Sequence, residues 1–293
     1  MKQIRIGTCI PGLKAESWIP HMVKAGFETL AICNHMSLEG IDMAQQAPRL
    51  KELIKDSGVE ITTFGYYSNA LQFEDHKKNM EHVIDNAHLY GAKIVSTFAG
   101  GLEGQSVDAS MKKFKEVYGE LAKRAEDRGV KIAFENCPMG GTWDKVTCNI
   151  AINPRAWEMM FNEVDSPALG LEWEPAHQMI QLIDPIPQLR KWARKIYHLH
   201  GKDATVDWNA VREYGVMCSS DWYAPERTVG FGDTNWRDVF SILHMAGFEG
   251  DICVEGYHDP VYSGEWEMVG QLHALKYLKW CRGDEYAANP WDV

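Results

Sequence analysis

Short apolar runs alternate along the chain with longer stretches whose apolar residues recur at helical spacing. Eight runs read as strands: 4–10 (IRIGTCI), 27–33 (FETLAIC), 60–67 (EITTFGYY), 92–100 (AKIVSTFAG), 131–138 (KIAFENCP), 169–177 (LGLEWEPAH), 195–203 (KIYHLHGKD) and 251–259 (DICVEGYHD). Between them, AQQAPRLKELIKDSG and SMKKFKEVYGELAKRAEDRG read as helices that stop at a glycine. Five joints repeat one grammar (AGFETL, SGVEIT, YGAKIV, RGVKIA and AGFEGDI), in which a glycine closes a helix and a strand follows. Eight strands, each followed by a helical segment, predict an α/β fold, the (β/α)8 TIM barrel, with every strand buried on both faces. The beat runs from residue 4 to residue 282 without a linker, so residues 1–293 are expected to form a single domain.

A doubly wound sheet would place a glycine-rich phosphate loop after the first strand, but CIPGLKAES has one glycine there. The longest connection, 204–234, follows the seventh strand and is expected to act as a lid or a wall of the substrate site. The polar tail 283–293 is expected to pack on a neighbour or on the outside of the barrel.

Composition narrows the class. Hydrophobic residues make up 45% of the chain, with 11 tryptophans, enough for a large core and too many for a disordered chain. Thirty basic side chains against 41 acidic ones leave a net charge of −11, which lacks the basic footprint of a nucleic-acid partner. The seven cysteines are odd in number and form no CxxC pair. No apolar run approaches the ~18 residues of a membrane span, and the N-terminus lacks a secretory signal. These features predict a reduced, cytoplasmic protein without a membrane partner.

In a (β/α)8 barrel the chemistry sits at the C-terminal ends of the strands. Alternation puts Ala133, Glu135 and Cys137 on one face of the fifth strand. Gly170, Glu172 and Glu174 share a face of the sixth, with His177 just beyond. Ile196, His198, His200 and Lys202 share a face of the seventh, and Cys253, Glu255 and Tyr257 a face of the eighth. One glutamate in a strand reads as half of an ion pair, and His198 alone as a satisfied core histidine. Four successive strands delivering acid or imidazole to one mouth read differently. Three carboxylates in a dry barrel mouth repel one another unless a cation offsets them. That donor set suits one divalent metal ion, Mn2+ first, with Mg2+, Co2+ or Zn2+ as alternatives. The ligands expected are Glu135, Glu174, His200 and Glu255, with Glu172 competing for the place of Glu174.

FENCP, LEWEPAH, HLHGKD, GFGDTNW and VEGYHD together resemble the xylose-isomerase-like barrel superfamily, in particular its sugar phosphate isomerase/epimerase branch with the ketose 3-epimerases. The resemblance spans essentially the whole chain. It implies the same four metal ligands, although the family's strand-six motif is usually Asp-x-x-His and this chain has Glu174-Pro175-Ala176-His177. It implies that Glu135 and Glu255 exchange the substrate proton through an enediolate, and that His177 contacts a substrate oxygen. Lys202 and Arg227 are read as groups holding a hydroxyl, carboxylate or phosphate, or else as salt-bridged rim residues. Among the aromatics near strand ends, Tyr66 and Trp173 are expected to pack on the sugar's C–H face. GFGDTNW is read as the turn into the next helix, with Asp233 or Thr234 as its N-cap.

The implied activity is a metal-dependent sugar isomerase or epimerase with a small-molecule sugar as substrate, and family members are often dimers or tetramers. A lyase, hydratase or deglycosidase on a keto-sugar or keto-glycoside needs the same groups. An AP-endonuclease-like repair enzyme would need further histidines on the third and fourth strands, where FGYYSN and STFAGG stand.

Overall fold

The computed structural model describes residues 3–284, 287 and 289–291. Among the described residues are ten strands and ten helices; eight of the strands follow the predicted beat. The strands are β1 (Arg5–Pro11), β2 (Thr29–His35), β3 (Glu60–Tyr67), β4 (Ile94–Thr97), β5 (Lys131–Glu135), β6 (Leu169–Trp173), β7 (Ile196–Gly201), β8 (Asp203–Ala204), β9 (Glu226–Arg227) and β10 (Asp251–Val254). The helices are α1 (Ala15–Ala25), α2 (Met43–Ile54), α3 (Glu74–Tyr90), α4 (Val107–Arg128), α5 (Pro154–Glu163), α6 (Ala176–Met179), α7 (Pro185–Trp192), α8 (Trp208–Tyr214), α9 (Trp236–Met245) and α10 (Glu267–Cys281). Eight strands close into a parallel barrel in the order β1-β10-β7-β6-β5-β4-β3-β2. This is the single-domain (β/α)8 barrel expected from the sequence.

The helix–strand grammar has a backbone cause. The glycines of all five joints take left-handed φ values: Gly26, Gly58, Gly91, Gly129 and Gly247 lie between +66° and +93°. At the end of α4 the Gly129 N–H turns back to the carbonyls of Ala125 and Glu126, a closure that a Cβ would strain. At the other end of α4, Ser106 accepts the Ala109 N–H as N-cap.

Alternation divides the barrel into two chemistries. Outward residues such as Phe64, Val95, Phe134, Leu171, Trp173 and Leu199 pack beneath the helices in one large apolar cluster. Each such side chain contributes roughly 1.5–3 kcal/mol by burial. Inward positions are small or polar: Thr29, Ala31, Thr63, Ser96, Ala133 and Gly170, with Glu172, His198 and Asp251 buried among them. The barrel's axis is therefore a polar column within an apolar shell.

Three expectations change. Several strands end earlier than the apolar runs, so Glu174 and Glu255 stand one residue beyond β6 and β10. The 204–234 connection is ordered: β8 and β9 pair antiparallel, with α8 between them. The N-cap of α9 is Asn235, which accepts the Asp238 N–H. Thr234 instead donates its hydroxyl to Asp203, and Asp233 accepts the Val206 N–H. Of the tail, residues 285, 286, 288, 292 and 293 lie outside the described residues.

Candidate active site

Four donors converge at the C-terminal mouth. Glu135 ends β5, Glu174 follows β6, His200 lies in β7 and Glu255 follows β10. Nδ1 of His200 is 3.1 Å from Glu135 Oε1, 3.3 Å from Glu255 Oε2 and 3.4 Å from Glu174 Oε2. One donor atom from each of the four residues lies within 4.8 Å of the others. An octahedral shell with bonds of ~2.1 Å places opposite donors ~4.2 Å apart, so the cluster has the scale of a coordination shell. Glu174 Oε1 is buried and accepts no hydrogen bond of good geometry, with His177 Nε2 at 3.0 Å and Lys202 Nζ at 3.3 Å beside it. Donor type and spacing fit a divalent ion.

The far side of the imidazole is tied to a second layer. His200 Nε2 lies 3.2 Å from both Glu172 Oε1 and Tyr67 Oη. Glu172 accepts hydrogen bonds from the Tyr67 hydroxyl at 2.9 Å and from Ser96, and pairs with His198 Nδ1 at 2.6 Å. A proton on Nε2, held by Glu172, leaves the Nδ1 lone pair for a metal, the usual carboxylate–histidine–metal relay. Glu172, His198 and His200 also converge. The Glu172 oxygens are already engaged by these donors, and the geometry places Glu174 in the four-donor cluster.

The charges are strongly coupled. Burial pushes the carboxyls of Glu135 and Glu174 up, the latter far above its ordinary range. Burial also disfavours the charge on Glu255, but Lys202 and then His200 outweigh it and hold that carboxyl well down. Lys202 Nζ stands 3.2 Å from Glu255 Oε2, 3.3 Å from Glu174 Oε1 and 3.4 Å from Glu226 Oε1. Its burial opposes the ammonium, yet Glu174 and the other carboxylates keep it protonated. His177 Nε2 is 3.0 Å from Glu174 Oε1, and burial, with Lys202 nearby, holds its imidazole neutral.

The remaining predicted residues divide. His177 and Lys202 are at the cluster. Arg227 Nε instead pairs with Asp259 Oδ2 at 3.2 Å, and that carboxylate also accepts the N–H groups of Thr228, Val261 and Tyr262. Arg227 thus pins β9 to the loop after β10. Tyr66 and Trp173 are corrected: each lies on the outward face of its strand. The Tyr66 hydroxyl accepts from Asn79 on α3, and the Trp173 indole donates to Gln178. Their neighbours in the alternation, Tyr67 and Glu172, are the inward ones. Glu226, brought in by the unpredicted β9, and Ser96 were not found from the sequence. The inward phase of STF at 96–98 was the available signal for Ser96. Nothing local marked Glu226.

Above the donors opens a cavity of about 650 Å3, lined by Cys9, Asn34, His35, Tyr67, His200 and Glu255 among others. This is the size of a small-ligand pocket.

A closed parallel barrel with carboxylates and imidazole at its C-terminal mouth is the architecture of a large class of barrel enzymes. Residues 20–279 match the family described as xylose isomerase-like TIM barrel, and the chain belongs to it. It is 30% identical to YfiH of Bacillus subtilis over 166 residues, 54% of this chain and 50% of that protein. It is 24% identical to an inosose dehydratase of Clostridium beijerinckii over 280 residues, covering 90% of this chain and 88% of the relative. Among solved structures, a xylose isomerase domain protein of Planctomyces limnophilus superposes with a TM-score of 0.72 at 18% identity, over 96% of this chain and 98% of that one. A D-allulose 3-epimerase from Methylomonas sp. gives 0.68 at 16% identity, over 96% and 99%. The family resemblance drawn from the strand-end motifs is thereby confirmed. No helix among the described residues is long and apolar enough to cross a membrane.

Proposed function

We propose that this protein is a divalent-metal-dependent isomerase or epimerase that relocates the proton next to the carbonyl of a sugar or sugar-like polyol. The observation that supports this most is the pairing of Glu135 and Glu255. They stand three steps apart around the eight-strand ring, across the mouth from one another, and each meets His200 through one oxygen. Glu135, Glu174, His200 and Glu255 would hold the ion, with Mn2+ best suited to three carboxylates and one imidazole. When bound, it supplies Lewis-acid stabilisation of the oxyanion that develops as the C–H bond breaks. One glutamate takes the proton from one face of the substrate, and the other returns a proton from the opposite face, inverting the carbon through an enediolate. Lys202, kept protonated, orients a substrate oxygen, and neutral His177 donates to or accepts from a hydroxyl. The free cysteines suit a reducing, cytoplasmic setting.

Loss of water beside a ketone is the second reading. It is supported by the likeness to an inosose dehydratase over 90% of this chain and by Lys202, an ammonium 3.2 Å from Glu255 that can serve a departing hydroxyl. One experiment separates the two. Protein reconstituted with Mn2+ is incubated in D2O with a panel of ketoses, keto-glycosides and inososes. Epimerisation gives deuterium at the carbon next to the carbonyl without loss of mass as water. Elimination gives a dehydrated product. Neither exchange nor dehydration on any member of the panel would overturn both.

A further inference from the structure

A second cavity adjoins the first. It measures about 630 Å3 and is lined by Lys14, Trp18, His21, Met22, Tyr257 and Met268 among others. Pro11 and Tyr257 line both cavities. Tyr257 comes two residues after Glu255, so the partition between the cavities is attached directly to the acid/base end of the site.

The partition is built with some care by the chain. Tyr257 takes a φ of +79°, a left-handed conformation that costs a bulky side chain roughly 1–3 kcal/mol. Three contacts hold it there. Its N–H donates to Glu267 Oε2 at 3.0 Å, its hydroxyl donates to the Cys9 carbonyl at 3.1 Å, and its ring lies 6.0 Å from that of Trp18. Lys14 Nζ stands over the same Trp18 ring at 5.9 Å. The second cavity therefore offers an aromatic wall and methionine surface beneath a rim of one lysine, one histidine and Glu265. That combination suits a flat ring with hydroxyls at its edge: C–H or π surface against the indole, polar edge toward the rim.

We infer that the second cavity is a subsite for a ring carried on a glycosidic oxygen, so that the substrate is a keto-glycoside rather than a free monosaccharide. The inference rests on the sugar reading of the site and names its substrate class. The reacting sugar occupies the cavity over His200 and Glu255, and the glycosidic link passes over Tyr257. The attached ring, a second sugar or an aromatic aglycone, packs on Trp18. A free sugar would leave the second cavity to water.

The test is equilibrium binding to the Mn2+-loaded protein by calorimetry. A panel of methyl keto-hexopyranosides first identifies a sugar that binds. The phenyl glycosides of both its anomers and its disaccharides are then compared with the methyl glycoside. At least one is expected to bind tenfold or more tightly, and whether a phenyl or a glycosyl group gives the gain distinguishes the two kinds of ring. Trp18→Ala removes the wall, while Met268→Trp, at a 37% exposed position, fills the cavity from its rim. Both are expected to abolish the gain and leave methyl glycoside binding unchanged. Equal binding of methyl, phenyl and glycosyl forms, or a gain that survives both substitutions, overturns the subsite alone. Binding of no sugar at all overturns the sugar reading with it.

Discussion

Two layers of acid and imidazole are stacked in the same barrel mouth, and they differ in how completely they satisfy themselves. The lower layer, Glu172 with His198, Tyr67 and Ser96, is closed around its carboxylate, which three protein donors meet; the far nitrogen of His198, 3.6 Å from Asp251 Oδ1, is the atom left without a hydrogen bond. Burial alone would raise the Glu172 carboxyl, but His200 and the hydrogen bonds from His198 and His200 overcome it and hold the group well below its ordinary range. The upper layer uses the same residue types and is open. Glu174 Oε1 accepts no well-formed hydrogen bond, only the approach of His177 and Lys202, and Glu135 and Glu174 are pushed toward protonation. A closed polar cluster is scaffold, whereas an open one is built for something that arrives. The imidazole of His200 spans the two layers, with one nitrogen in each.

This contrast can be broken most sharply through activity. Glu255→Gln and Glu135→Gln should each lower the rate of C–H exchange by ~10²–10⁴-fold, the range for a positioned acid or base. Their circular dichroism should match the wild type. The lower layer should respond in stability instead. Glu172→Ala strands His198 and the Tyr67 hydroxyl, and should destabilise the metal-free fold by ~3–5 kcal/mol in denaturant titrations. A Glu172 variant as stable as wild type would erase the distinction between scaffold and site. Smaller in energy is the relay effect: Tyr67→Phe should reduce Mn2+ affinity by about tenfold or less, since it removes one of two groups fixing the His200 tautomer.

The smallest effect expected is on pH dependence, and its sign differs among the buried carboxyls. Glu135 and Glu174 have raised pKa values in the metal-free fold, so the folded state binds more protons than the unfolded one. Their contribution is fully present below the unfolded carboxylate pKa and is lost as pH rises through the folded values. Glu172 and Glu255 have lowered pKa values, so their contributions are present above the unfolded value and lost only as pH falls through the folded ones. Urea midpoints of the metal-free protein should therefore decline from mild acid upward, and Glu135→Gln should flatten that decline. Mn2+ affinity should rise over the same range, because binding displaces protons.

The barrel was readable from the sequence because glycine stops and apolar runs are local features: the runs recur eight times, and five of the joints carry the glycine stop. Alternation was enough to bring Glu135, His200 and Glu255 to one mouth, and Glu174 with them despite the shortened β6. It failed at Tyr66 and Trp173 for want of phase: both were chosen as aromatics, when their own strands place Tyr67 and Glu172 inward. Glu226 lay beyond reach because β9 forms only by pairing with β8, and a two-residue ribbon has no pattern of its own. Arg227 shows the same limit. Its partner Asp259 is 32 residues away, and only the folded loop brings them together.

The most direct test is Mn2+ titration followed by the loss of the free-ion paramagnetic resonance signal, comparing wild type with Glu174→Gln and Glu172→Gln. An open upper layer predicts one ion per chain in wild type, binding abolished by Glu174→Gln, and binding weakened about 10–100-fold but retained at one ion in Glu172→Gln. Wild-type protein that binds no ion, or a Glu174→Gln variant that binds as wild type does while Glu172→Gln does not, would contradict it.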